Sequence, residues 1–112
     1  MNIKIPIPEK VSTNKIYSGM HWTKRKKLAD LFHNSLIEYR NKAVKEYPVE
    51  ITYIFTFKSK PLDTTNCTFM VKMLEDSLII NKVIENDSPE YVSFTGIYSQ
   101  KGNKDEVEIN II

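Results

Sequence analysis

The 112-residue chain predicts an α+β fold, a mixed β-α-β-α-β-β sheet with two packed helices. Two observations carry the prediction. Val49, Ile51, Tyr53, Phe55 and Phe57 alternate with Glu50, Thr52, Thr56 and Lys58, the period of a strand with one buried face. Leu28, Phe32, Leu36 and Ala43 instead recur at helical spacing. At this length the chain is one domain, residues 1–112.

The elements follow in order. Asn2 to Ile7 alternates, with Ile3, Ile5 and Ile7 on one side, and reads as a short strand. Pro6 and Pro8 end it or place it at a sheet edge. Residues 8–21 read as a loop. A helix is expected from about Thr23 to Glu46, capped by Thr23 and stopped by Pro48. The alternating strand comes next, and Ser59-Lys60-Pro61-Leu62 leads out of it. A second helix is expected from about Asn66 to Leu78, with Thr65 or Asn66 as its cap. Phe69, Met70, Met73, Leu74 and Ser77 form its buried stripe. Asn86-Asp87-Ser88-Pro89 is a turn. Tyr91 to Ser99 and Val107 to Ile112 are expected to pair as a hairpin through Gly102-Asn103.

Composition narrows the function classes. No long apolar run predicts a membrane span, and the N-terminal MNIKIPIPEK lacks the apolar core of a signal peptide. The single cysteine, Cys67, excludes an intramolecular disulfide framework, so a reducing cytoplasm is the expected compartment. With only Gly19, Gly96 and Gly102 there is no glycine-rich phosphate loop, and no nucleotide cofactor is expected. His21 and His33 are too sparse for a zinc site. Cys67 has no histidine partner and reads as a core thiol.

The net charge of +2 hides an asymmetry: residues 1–48 carry +6 and residues 49–112 carry −4. A basic half beside an acidic half fits a nucleic-acid binder with a metal-loaded centre, and equally a dimer whose halves face each other. Lys24-Arg25-Lys26-Lys27 open the expected first helix. Cations there oppose the helix macrodipole, at about 0.3–1 kcal/mol each in low salt. Phosphate contact is a reason to keep them, and a solvated charged face is the other reading. Tyr17 and Trp22 suit stacking on unpaired bases, although aromatics beside a helix start are more often core.

The most chemically suggestive stretch runs from Asp63 to Asp87. Asp63, Asp76 and Asp87 are crowded into it with Glu75 and Lys72. Crowded carboxylates repel unless a cation holds them, and Mg²⁺ is the hard cation that prefers them. A lysine beside them adds a charge suited to phosphate. Together they suggest phosphodiester hydrolysis. Each residue also has a plainer reading. Asp63-Thr64-Thr65-Asn66 is good N-cap chemistry, Asp87 suits its turn, Lys72 with Asp76 suits a solvated i,i+4 ion pair, and Glu75 reads as surface.

Taken together, the pattern resembles the RusA family of Holliday junction resolvases over most of the chain. Pro8, Ser12, Asn14 and Tyr17 resemble that family's N-terminal proline, P-S-x-N and following tyrosine. His21-Trp22-Thr23-Lys24-Arg25 is similar to a variant of its phage branch. Asp63, Asn66, Lys72, Asp76, Leu78 and Asp87 resemble its D-x-D-N…K…D-x-L…D-D block. Thr65 and Asn86 depart from it where the family has aspartates, and about three extra residues lie between Asn66 and Lys72. The resemblance implies a Mg²⁺-dependent endonuclease, with Mn²⁺ as an alternative ion, acting as a homodimer on branched DNA. It implies Asp63, Asp76 and Asp87 as metal ligands and Lys72 as the residue steadying phosphate charge. Asn14, Tyr17, Lys24, Arg25, Lys26, Lys27 and Lys72 would contact DNA. The loss of two carboxylates leaves a second expectation open, a weak or inactive relative that binds DNA structurally. For the dimer the sequence offers only the apolar tail Ile109-Asn110-Ile111-Ile112.

Overall fold

The computed structural model describes residues 1–112 as β1 (Asn2–Pro6), α1 (Thr13–Tyr17), α2 (Trp22–Asn34), β2 (Val49–Phe57), α3 (Thr68–Ile80), β3 (Val92–Lys101) and β4 (Glu106–Ile111). Short 3-10 turns at Ile37–Tyr39 and Thr64–Cys67 complete it. The α+β class and the mixed sheet are as expected, with three helices rather than two. No helix is long and apolar enough to cross a membrane.

The sheet order is β1-β4-β2-β3. β4 runs antiparallel to both β1 and β2, while β3 pairs with β2 in parallel. The expected hairpin of the last two strands is therefore corrected. β3 and β4 lie on opposite sides of β2, joined by a connection across its C-terminal end. Gly102 makes the crossing, donating its N–H to Phe57 O at 2.9 Å, and a Cβ there would collide with Thr56 Cγ2. Asp105 secures the far side by accepting the Lys58 N–H at 2.9 Å. Strand periodicity is the same for either neighbour, so the apolar pattern could not choose between them.

Register puts Ile3, Ile109, Tyr53 and Ile97 in one row across the sheet, and Ile5, Val107, Phe55 and Ser99 in the next. The apolar members of these rows on β1, β4 and β2 are buried and form one core with α1, α2 and α3. Ile109 and Ile111 belong to that core, so the C-terminal tail offers only Ile112, 82% exposed, to a partner. On the opposite face Phe94 and Tyr98 lie exposed.

The helix boundaries differ from expectation for tertiary reasons. α2 stops at Asn34, not Glu46. Buried Ser77 and Asn81 of α3 donate to the His33 carbonyl at 3.0 and 3.1 Å, capturing an acceptor at the end of α2. Residues 41–44 then pair with the exit of α3, Asn41 N–H to Asn81 O and Val44 N–H to Val83 O. α2 is capped by His21, whose Nδ1 accepts the Thr23 N–H at 3.2 Å, rather than by Thr23. The expected loop at 8–21 holds α1, capped by Ser12 accepting from Lys15 N–H. Neither Thr65 nor Asn66 caps α3. Thr13 Oγ1, from α1, accepts the Phe69 N–H at 2.8 Å. The buried stripe of α3 includes Val71 and Leu78 besides the expected residues, with Phe69 only half-buried.

Candidate active site

α3 and the loop after it build a charged cluster. Lys72, Glu75 and Asp76 follow the turn of the helix, while Met70, Met73, Leu74 and Ser77 anchor it to the core. The chain leaves α3 through a Schellman-like exit, Val83 N–H to Leu78 O, with Lys82 in the left-handed region at φ 60°. Tyr47 holds the returning loop by accepting the Glu85 N–H at 2.9 Å. Asp87 is thereby brought back over the helix.

The Lys72 ammonium lies 3.2 Å from Asp76 Oδ1 and 3.4 Å from Asp87 Oδ2. These contacts, the Asp76 hydrogen bond foremost, push the lysine pKa up. Lys72 is thus a firmly charged cation clamped between two carboxylates. Glu75 stands half-buried beside them rather than free on the surface, as the sequence had suggested. Its pKa is raised, first by desolvation and then by Asp87. No ion pair forms at Glu75. Beneath, the Tyr53 hydroxyl is buried without a hydrogen-bond partner, and its pKa is pushed up by burial and by the charges of Glu75 and Asp76.

The structure gathers Lys72 and Asp76, one turn apart on α3, with Asp87 from the loop beyond it. Asp63 stands outside this group. It heads the 3-10 turn at Thr64–Cys67, exposed, and makes no side-chain capping bond. It forms no ion pair with Lys72. No three carboxylate, histidine or cysteine side chains converge on one point. Asp76 and Asp87 are the carboxylates here that could hold a hard cation, since Mg²⁺ takes one or two carboxylates, and Lys72 now lies against both. Asn86 Oδ1 accepts the Asp87 N–H at 2.7 Å and so shapes the turn that presents Asp87. Thr65 uses its carbonyl to accept from Thr68 Oγ1 at 2.8 Å. Cys67 is buried with its pKa raised to about 11 by desolvation, which suits the expected core thiol and not a nucleophile.

The expected DNA-contacting residues divide into groups. Tyr17, Arg25 and Lys72 line one cleft of about 290 Å³ between α1, α2 and α3. The Arg25 guanidinium also donates to Ile16 O at 3.3 Å, tying the end of α1 to the start of α2. Lys24 and Lys27 border a neighbouring hollow with Leu28 and Leu31. Lys26 reaches Asp30 at 3.7 Å. Asn14 takes a structural part, its backbone N–H donating to Asn66 Oδ1 at 3.2 Å. A larger hollow of about 440 Å³ between β1 and the end of α2, near Pro8 and Tyr39, lies away from this chemistry.

Trp22 is the residue whose position sequence reasoning misjudged most. It is 68% exposed, and Tyr17 is 77% exposed, so neither belongs to the core. Helical phase could have revealed this for Trp22. It is six residues before Leu28 and ten before Phe32, spacings that fall off the buried stripe. Comparison with protein-family models and with curated proteins gives no match.

Proposed function

We propose that the chain is a Mg²⁺-dependent, RusA-like endonuclease that resolves four-way DNA junctions by paired phosphodiester hydrolysis, acting as a homodimer. The carrying observation is the junction of Asp76, Lys72 and Asp87, at 3.2 and 3.4 Å, beside a cleft that Lys72 shares with Tyr17 and Arg25. Asp76 and Asp87 would hold the ion. A bound Mg²⁺ lowers the pKa of a water and polarises the scissile phosphate. Lys72 would meet charge developing on the phosphate oxygens. The exposed cations Lys24 and Lys27 grip the backbone and set register without reading sequence. Asp63, a ligand by resemblance, would have to act from outside the cluster. A C2 dimer would supply one site for each strand of a two-fold junction.

One observation favours a second reading, a DNA-binding protein without catalysis. Lys72 already offsets part of the charge of Asp76 and Asp87 from within the chain, which lets the carboxylates share its ammonium without an ion. Cleavage of an end-labelled synthetic four-way junction separates the two. The nuclease reading expects paired symmetric nicks with Mg²⁺, none with EDTA, and a loss of at least about 100-fold for Asp87→Asn, the scale of removing one charge-stabilising group. Junction binding with no nicks under any metal condition would establish the second reading, and absence of both would end the nucleic-acid assignment.

A further inference from the structure

The start of α2 carries side chains that the proposed cleavage chemistry does not use. Trp22 is the only tryptophan of the chain, and it stands in solvent with Tyr17 close by in sequence. Leaving rings of this size in water forgoes a large hydrophobic gain, so two together call for an explanation. Trp22 is not loose. His21 stacks against it with ring centroids 5.8 Å apart and planes at 30°. His21 is itself held by its cap bond to Thr23. Arg25 connects the two aromatics: it follows Trp22 by one turn of α2 and lines the same cleft as Tyr17.

The charge around them is mainly positive, with Glu9 lining the same hollow as Lys24 and Lys27 and Asp30 paired to Lys26. The first turn of α2 contains no acidic residue. Lys15, Lys24 and Lys27 form no ion pair with any carboxylate of the chain. Exposed aromatic faces among free cations match one ligand chemistry closely. Unpaired bases offer π-faces for stacking, and their phosphates take the cations. Bases in an intact duplex are already stacked on one another and cannot offer those faces. An acidic polypeptide would use the lysines and leave the rings idle.

We propose that Tyr17 and Trp22 form a stacking platform for unpaired bases of single-stranded nucleic acid, with Lys15, Lys24 and Lys27 holding its phosphates. The inference rests on the nucleic-acid part of the proposed function and needs neither metal nor cleavage. It gives that reading a reason to prefer the unstacked centre of a branch over a continuous duplex.

Binding is measured in EDTA by anisotropy of a labelled short oligothymidine, beside an abasic strand of equal length and charge. Trp22 emission is followed in parallel. Saturable quenching is expected, with the oligothymidine binding at least about tenfold tighter than the abasic strand, since each stacked base contributes a gain of that order or more. Tyr17→Ala and Trp22→Ala should each weaken oligothymidine binding about tenfold and leave abasic binding unchanged. Both side chains are exposed, so circular dichroism of the variants should match the parent. Equal affinity for the two strands, unaltered binding by both variants, or competition by polyglutamate as effective as by oligothymidine overturns the platform. Junction nicking without stacking would remove this inference alone, and stacking without nicking would remove only the nuclease reading.

Discussion

Lys72 has two demands on its charge. In the folded chain it pairs with both Asp76 and Asp87, and in the proposed reaction it would face phosphate. Lys72→Met separates them. Its side chain is 60% exposed, so thermal unfolding should shift by less than about 1 kcal/mol, the range of exposed ion pairs. Junction nicking should fall by about 100-fold or more, which gel quantification of nicked strands would show. Equal nicking by the variant would remove Lys72 from the chemistry. Tyr53 tests the support under the cluster. Its hydroxyl is buried with no partner, a desolvation that phenylalanine would not carry. Tyr53→Phe should therefore raise stability by roughly 1 kcal/mol in urea unfolding. A loss of stability instead would reveal a bond at that hydroxyl.

At the scale of elements, the site depends on how α1 meets α3. The 3-10 turn at Thr64–Cys67 delivers the chain to α3 without a cap of its own, and Thr13 supplies the missing acceptor to Phe69 N–H. The same hydroxyl lies 2.8 Å from Thr68 Oγ1. Asn66 meanwhile accepts from Asn14 N–H. One short helix therefore sets the position of α3, and with it the distance from Tyr17 to Lys72. Thr13→Ala should cost about 1 kcal/mol in stability, as loss of a cap does, measured by urea titration. Thr13→Ser keeps the hydroxyl and should recover most of that loss. The opposite end of α3 closes on α2, where Ser77 and Asn81 occupy the His33 carbonyl. These side chains are polar, fully buried or nearly so, and satisfied, which is the condition under which burial of such groups is tolerated.

Charges of both signs occupy both layers of the molecule. The helical layer carries the exposed lysines and arginine of α2 and also Glu75 and Asp76 of α3, while on the sheet Glu108 stands opposite Lys4 in register. Phosphate would therefore meet a local cationic patch at the start of α2 rather than a uniformly positive side. Junction affinity should fall linearly in a plot of log K against log salt, through release of condensed counterions. Replacing both Lys24 and Lys27 with glutamine should lower the magnitude of that slope by about 2, one phosphate contact for each residue. Arg25 and Lys26 are poorer probes, since each already serves a partner inside the chain. An unchanged slope would move the DNA contacts to another face.

Local patterns were legible where a side chain faces a single environment. The alternation of β2, the stripe at Leu28 and Phe32 and the proline-bounded edge strand β1 all emerge from period and composition, because burial on one side imposes that period on the sequence. The i,i+4 approach of Lys72 and Asp76 was equally readable, being a property of one helix. Partners from elsewhere decided the rest. The end of α2 depends on carbonyl capture by Ser77 and Asn81, the start of α3 on a hydroxyl from α1, and the placement of β4 on a crossing that needs the absent side chain of Gly102. The arrival of Asp87 at Lys72, and the absence of Asp63 from that meeting, belong to the same class. By itself the sequence determined the α+β class, the main buried faces and the residue types available for chemistry. Only the tertiary structure decided which charges meet and which aromatics stay in water, because those outcomes depend on distances between segments that local period does not encode.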